Sequence, residues 1–308
     1  MEKIGRADQR KGRMGKWLEE HESQIREFKH SLQLLKRNPL SMTGLIIIFT
    51  LVIIAIFAPY ISPYPEQATN PNLKEEEILI PPNQRHLFGT DRLGRDVLTR
   101  IIYGTRIALE MMGAVIALGL LIGVPLGAIA GTCGGKIDTV IMRICDAFLS
   151  FPPLLLIIVI CAVMGPNLMN AMIAVTIAWW PWYTRIIRNE AVSVKERAYV
   201  KAANSIGVRK LTIVFRHILP NSIAPVITQA TLDAGAVILT LAGLSFLGLG
   251  AQPPSPDWGL MISTSRHTFP LTWWWTVFPG LFIFLTALSF NLLGDAFRDV
   301  LDPRLRRR

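Results

Sequence analysis

Charge is scarce in this chain, and it is withheld almost entirely from five long stretches. Asp, Glu, Lys and Arg make up 18% of the 308 residues while hydrophobic residues make up 51%, a balance that ordinary soluble domains, with about 25% charged residues, do not show. Cysteine is nearly absent: Cys133, Cys145 and Cys161 form no CxxC pair, which excludes a zinc ribbon and a disulfide framework and leaves small apolar fillers. The five histidines, at 21, 30, 86, 217 and 267, are scattered, so neither HExxH nor a metal cluster is present, and no metal or other cofactor is expected. No complete phosphate loop exists either. Gly131 to Lys136 comes nearest, but Ala130 stands at the first glycine position and Ile137 replaces the Ser/Thr that would hold magnesium. Gly243 to Gly248 misses the GxSxG nucleophile spacing by one residue. The chain reads as something other than an enzyme.

What is there is apolar length. Thr43–Ile61 carries no charge, Ile107–Ala130 only Glu110, Asn221–Gly250 only Asp233, and Trp273–Gly294 none. Ala147–Thr184 is uncharged for 38 residues, which at ~1.5 Å rise is about twice a ~30 Å hydrocarbon core. It must be two spans, with Gly165-Pro166-Asn167 as the turn. With the third span starting near Asp138, the count is six transmembrane helices. About forty mostly polar residues precede the first apolar run, so that run is expected to stay as an anchor rather than be cleaved as a signal.

The net charge of +10 would suggest nucleic acid in a soluble protein, but its placement argues for a bilayer and against nucleic acid. Ten Lys/Arg precede the first span, eight lie between Arg185 and Arg216, and five follow the last span; Met164–Asn170 has none and Gly250–Thr272 only Arg266. That asymmetry puts both termini in the cytoplasm, as an even number of spans requires. Ser62–Arg106 carries six Lys/Arg on the outside, balanced by acids including Glu75-Glu76-Glu77, Asp91 and Asp96. The chain divides into a cytoplasmic segment (1–40), with an amphipathic interfacial helix over Trp17–Lys36; the first span and external loop (41–105); and a five-helix core (106–308) containing a cytoplasmic loop at 185–220.

Local patterns add detail. Gly119, Gly123, Gly127 and Gly131 recur every fourth residue and form a groove on one helix face that admits another backbone, with Pro125 bending the same helix. Thr90 or Asp91 is expected to cap a short interfacial helix in which Asp96 and Arg100 pair at i and i+4, and Asp146 is expected to pair with Arg143. Trp179, Trp180, Trp182 and Trp273–Trp275 read as interfacial belts. Asp233, deep in the fifth span, is expected either to face a solute pathway and attract a cationic group or to bond a neighbouring helix, since a carboxylate at that depth needs water or a partner.

The basic stretch Arg185–Pro220 differs from a plain solvated loop. Val194–Ser205 reads as a short helix with Ala198, Ala202 and Ala203 making a small-residue patch beside Tyr199; Gly207 ends it, helical spacing resumes through Leu211, Val214, Phe215 and Ile218, and Pro220 precedes the next span. This segment resembles the EAA loop of bacterial ABC-importer permeases. The alanine pair Ala202-Ala203, Gly207, and Leu219-Pro220 match; Lys201 stands where the family usually has glutamate, and His217 replaces the usual isoleucine. FGTDRLGRDVLTRIIYG (Phe88–Gly104), LSFLGLGAQPPSPDWGLM (Leu244–Met261) and NLLGDAFRDVLDPRL (Asn291–Leu305) are similar to the DppC/OppC-type branch of the dipeptide/oligopeptide/nickel permeases. The likeness runs from about Leu34 to the C-terminus.

The resemblance implies an all-α permease of the type I importer (MetI-like) fold in a bacterial inner membrane, forming half of a pathway for di- or oligopeptides, glutathione or nickel chelates. It implies a second, homologous permease, two cytoplasmic ABC ATPases that bind the ATP, and an external solute-binding protein. Tyr199, Ala202, Ala203, Gly207, Leu219 and Pro220 become the ATPase-coupling residues. The alternatives, a secondary transporter or channel or the anchor of an enzyme complex, lack the internal repeats or pore signature that would support them. The topology is checked by thiol labelling: a cysteine at Ser205 should react only from the cytoplasm and one at Asn72 or Ser255 only from outside. Cytoplasmic labelling at Ser255 would overturn six spans.

Overall fold

The computed structural model describes residues 39–72 and 75–301; the amphipathic helix expected over Trp17–Lys36 lies outside them. Among the described residues ten α-helices follow in order: α1 Pro39–Ile61, α2 Val97–Cys133, α3 Gly135–Leu149, α4 Pro153–Met164, α5 Leu168–Lys195, α6 Ala198–Ser205, α7 Lys210–Ile213, α8 Leu219–Phe246, α9 Trp258–Ser265 and α10 Trp273–Leu301. A single π turn, Val214–Ile218, joins α7 to α8. Among the described residues no strand is formed, and the fold is all-α as the sequence indicates.

Among the described residues four segments are each long and apolar enough to cross a membrane: α1, α2, Val214–Phe246 and α10 as far as Asp299. The third span is not the straight helix expected from Asp138. Its two parts, α3 and α4, are bent by 85° at the break between them, the geometry of a broken span or of a re-entrant loop, and only together are they long and apolar enough to cross. The break falls at Ser150–Pro152, where consecutive prolines remove two backbone donors and push the preceding residue out of helical geometry. The expected turn at Gly165-Pro166-Asn167 is present: Gly165 ends α4 with φ +88° and the Asn167 side chain caps α5 by accepting from Met169 N at 2.8 Å. The 28-residue α5 has the length of a span, but Asn170, three tryptophans, Pro181 and Arg185 dilute its apolar character, so among the described residues four to five crossings, not the expected six, are marked by both length and composition.

Glycine decides how the helices meet. A Cβ added at Gly119 would lie 3.0 Å from the Tyr183 ring, at Gly123 2.8 Å from Tyr183 Cβ, at Gly127 2.9 Å from Ile187 Cβ, and at Gly131 2.7 Å from Ala191 Cβ. The groove of α2 is therefore filled by α5 of the same chain, over four successive turns. Gly44 of α1 meets the Ser289 carbonyl of α10 and Gly235 of α8 meets that of Ala287, each at 2.9 Å from the added Cβ. On α1 the buried stripe is Ser41, Gly44, Leu51, Ala55 and Ala58, while Ile46, Phe49, Ile56 and Phe57 face outward. That division suits a helix with protein on one side and lipid on the other.

The tryptophans expected as belts divide: Trp274 and Trp275 are buried, Trp179 and Trp180 half-buried, and Trp182 and Trp273 exposed. Trp179–Trp182 lie mid-way along α5, with Trp180 edge-on to Phe148 of α3 at 5.6 Å. Trp274 Nε1 donates to the Thr90 carbonyl at 3.2 Å.

If the groove locks α2 to α5, Gly127→Val should lower the melting temperature of the detergent-purified protein, with a cost of about 1–3 kcal/mol or more from overpacking. Gly113→Val is the control, because nothing lies within 4 Å of its added Cβ. Equal melting of the two variants would rule the lock out.

Candidate functional site

The site begins in the last turns of α5. Ala191 and Val194 are fully buried there and, with Ile213 and Ile218 from the far side of the loop, form a small cluster into which α6 inserts Val200, 2% exposed. Val200 is thus the residue that seats α6, and Val208 packs on the same cluster. The opposite face of α6 is left open. Tyr199 and Ala202 are exposed and Ala203 is half-buried, and the exposed Ile206 continues that face one turn on. Small residues keep this face low, so a partner helix or groove wall can come close to the backbone.

Gly207 closes α6. Its φ is +80°, a left-handed conformation that glycine adopts without steric cost. Gly207 N donates to Asn204 O and Val208 N to Ala203 O, both at 3.1 Å, which is the paired pattern of a Schellman cap. Nothing lies within 4 Å of a Cβ added at Gly207, so backbone conformation alone accounts for glycine here. At the start of the helix Lys201 Nζ meets Glu196 Oε2 at 2.7 Å, and this hydrogen bond holds the Glu196 carboxyl below its ordinary range. Behind α6 a recess of about 320 Å3 is lined by Thr132 and Cys133 at the end of α2 and by Lys195, Glu196 and Lys201.

The structure brings Tyr199, Ala202 and Ala203 together on one short helix, with Gly207 just past its end, and separates Leu219 and Pro220 from them. Leu219 is half-buried against Ala128, Ile187, Val214 and Val226, and Pro220 is exposed in the first turn of α8. The two groups approach through the rings of Tyr199 and His217, 6.1 Å apart. The sequence reading missed Val200 and Ile206. The signal for Ile206 was the spacing Tyr199, Ala202/Ala203, Ile206, which continues one face; a reading that sends isoleucine to the core overlooks it.

Ion pairs brace the stem of the site. Arg188 of α5 makes two bonds to the Asp138 carboxylate of α3, at 2.6 and 3.0 Å, and Arg185 pairs with Asp146. Asp146 therefore bonds across helices and not to Arg143 as expected, because α3 lies along α5 and presents its acids to that helix.

Asp233 sits midway along α8 and is 9% exposed. Gln229 Nε2 on the same helix donates to its Oδ1 at 2.9 Å. Trp179 and Tyr183 of α5 are its polar neighbours, but Asp233 Oδ2 and Tyr183 Oη are buried with no hydrogen-bond partner. Its carboxylate thus lies inside the chain, at the junction of α5 and α8.

Comparison with known proteins bears on this arrangement. Residues 123–307 match the family described as "Binding-protein-dependent transport system inner membrane component", and residues 27–82 match the "N-terminal TM domain of oligopeptide transport permease C". The dipeptide transport system permease protein DppC of Alkalihalophilus pseudofirmus is 43% identical over 288 residues, covering 94% of this chain and 93% of the relative. A probable D,D-dipeptide transport system permease, DdpC of Escherichia coli, is 41% identical with 88% and 90% covered. The glutathione transport system permease GsiD of Pectobacterium atrosepticum is 40% identical with 88% and 89% covered. Among solved structures, a chain of the MetNI methionine ABC transporter in an inward-facing conformation superposes with a TM-score of 0.52, at 17% identity, over 66% of this chain and 97% of that one. That likeness concerns the fold.

Removing two methyl groups from the seat of α6 should loosen it selectively. Val200→Ala is expected to cost about 1.5 kcal/mol locally at ~0.8 kcal/mol per buried carbon, seen as roughly tenfold faster hydrogen exchange over 198–208 with the long helices unchanged. Unchanged exchange in α6 would show that Val200 does not seat it.

Proposed function

The chain belongs to the family of binding-protein-dependent transport system inner membrane components and is a membrane permease subunit, and on that premise we propose how it is driven and what it carries. The face of α6 formed by Tyr199, Ala202, Ala203 and Gly207, with Leu219 and Pro220 at the root of α8, docks into a groove of a cytoplasmic ABC ATPase. Two such ATPases bind and hydrolyse the ATP, so this chain needs no nucleotide or cofactor of its own. A second, homologous permease completes the pathway, and an external solute-binding protein delivers the cargo. Both termini lie in the cytoplasm of a bacterial cell with the chain in its inner membrane.

One observation carries the reading: an exposed small-residue helix is wedged by Val200 between the roots of two long helices, α5 and α8. A push on α6 is passed to α5 through Ala191 and Val194 and to the root of α8 through Ile213 and Ile218. The Schellman cap and the Lys201–Glu196 pair make it a stiff peg, and the interlock of α5 with α2 enlarges the body that moves. Bulk on the docking face would hold the ATPase away, which is why alanine and glycine suit it.

The cargo is a dipeptide, oligopeptide or similar small peptide. The relatives named above carry dipeptides, D,D-dipeptides and glutathione, all with a charged amine and carboxylate flanking amide bonds. For Asp233 the burial between α5 and α8 favours a tie between those helices. A role in attracting the peptide amine requires that interface to open during the cycle. Asp233→Asn keeps size and hydrogen bonding while removing charge, and unchanged uptake of free and N-blocked peptides would leave only the structural tie.

The test of the coupling proposal is Ala203→Arg and Gly207→Glu. Each should abolish uptake and weaken ATPase co-purification while the protein remains in the membrane at normal amounts. Normal co-purification together with normal uptake would defeat the assignment of α6.

A further inference from the structure

Arg100 is the most completely buried cation of the outer face, 2% exposed, and it belongs to no part of the coupling site. It lies in the first turn of α2, whose N-cap is Asp96, accepting from Thr99 N at 2.7 Å. Its guanidinium donates to backbone carbonyls from two remote segments: Nη1 to Ala68 O at 2.8 Å, and Nη2 to Ser255 O at 2.9 Å, with Pro254 O at 3.4 Å from Nη1. Asp91 Oδ2, which already accepts from Arg95 Nε at 2.7 Å, lies 3.7 Å from Arg100 Nε. One side chain thus joins four places spread over nearly 190 residues of sequence.

The same two segments are held to α2 on either side of it. Tyr64 N donates to Thr99 Oγ1 at 3.2 Å and Asp96 N to Gln67 Oε1 at 3.0 Å. Trp258 Nε1 donates to Ile101 O at 3.1 Å, and the Trp258 indole and Pro256 carbonyl press on Gly104. Asp257 beside them is buried, caps α9 through Leu260 N at 2.9 Å, and has its carboxyl raised by that burial. Arg100 sits at the centre of this assembly, and α2, which carries it, is interlocked with α5 through four glycines.

We propose that Arg100 is a positioning residue that fastens external segments 64–72 and 251–257 to α2, so that the outer mouth moves as one body with the α2–α5 pair. The inference rests on the reading of α6 as the point where force enters. A guanidinium suits the task because its planar fork serves several carbonyls at once and it stays charged at neutral pH. Signals pass in both directions along such a body: a binding protein seated on the outer mouth bears on the same helices that end at α6.

The experiment uses the full transporter, with its second permease and ATPases, in proteoliposomes, and reads ATP hydrolysis with and without solute-loaded binding protein. Arg100→Gln should leave unstimulated hydrolysis unchanged and reduce stimulation by the binding protein about tenfold, the weight of one charge-assisted hydrogen bond. Arg100→Lys, which keeps charge but not the fork, should recover only part of it. A loss confined to folding would lower both activities together and overturn the proposal, as would full stimulation in Arg100→Gln. Independently of any Arg100 variant, cysteines at Thr69 and Ser255 joined by a short bifunctional thiol reagent should leave wild-type uptake intact, because the two segments stay together throughout the cycle. Inhibition by that cross-link would show that they separate and that Arg100 is no fastener. If the unmodified transporter shows no ATP-dependent uptake, it is the coupling reading that fails, not this one.

Discussion

The close approach of α2 and α5 is the contact on which the rest of the structure depends. In a bilayer the hydrophobic effect does not draw apolar helices together, so packing at short range must do it. Four glycines bring backbone against backbone over Gly119–Gly131, with Tyr183, Ile187 and Ala191 as the inserted side. That contact sets where the C-terminal end of α5 lies and hence where α6 is presented. It also sets the height of Tyr183 beside Asp233 and the rotation that turns Arg185 and Arg188 toward Asp146 and Asp138. The ion pairs are partly exposed and fine-tune a geometry that glycine has already imposed.

Much of this was legible in the sequence because it depends on local chemistry. The glycine period of four announces a groove, Gly165-Pro166-Asn167 announces a turn, and an alanine patch ended by Gly207 announces a short capped helix. Which helix fills the groove was not legible, since a run of glycines describes an absence and carries no image of its partner. The break in the third span had its signal in Phe151-Pro152-Pro153, but the absence of charge across Ala147–Thr184 outweighed it. Length arithmetic assumes straight helices, and two consecutive prolines are where that assumption fails.

The outer face shows how a local rule misleads when the backbone turns. Reading Asp91 to Arg100 as helix pairs Asp96 with Arg100. Gly94, at φ +68°, bends the segment instead, Asp91 folds back onto Arg95, and the helix starts only at Val97 with Asp96 as its cap. Asp96 is then committed to Thr99 N and to His86 Nδ1, 2.9 Å away. Arg100 is left for carbonyls that no sequence pattern connects to it. Buried charges of this kind are costly unless every one is answered. Here Arg95 and Arg100 answer Asp91, His86 answers Asp96, and backbone amides answer Asp257. The result is a densely bonded cluster around Arg100 at one end of α2 and the short helix α6 at the far end of its partner helix.

The central claim is that this chain is a permease moved by ATP hydrolysis in other subunits. Solute accumulation in proteoliposomes tests it most directly, with the chain, a second permease and their ATPases in the membrane, ATP on the α6 side and loaded binding protein on the other. The account predicts that labelled dipeptide accumulates against its gradient only when ATP is hydrolysed and that collapsing ion gradients has no effect. Accumulation without ATP, driven by a proton or sodium gradient, would contradict it.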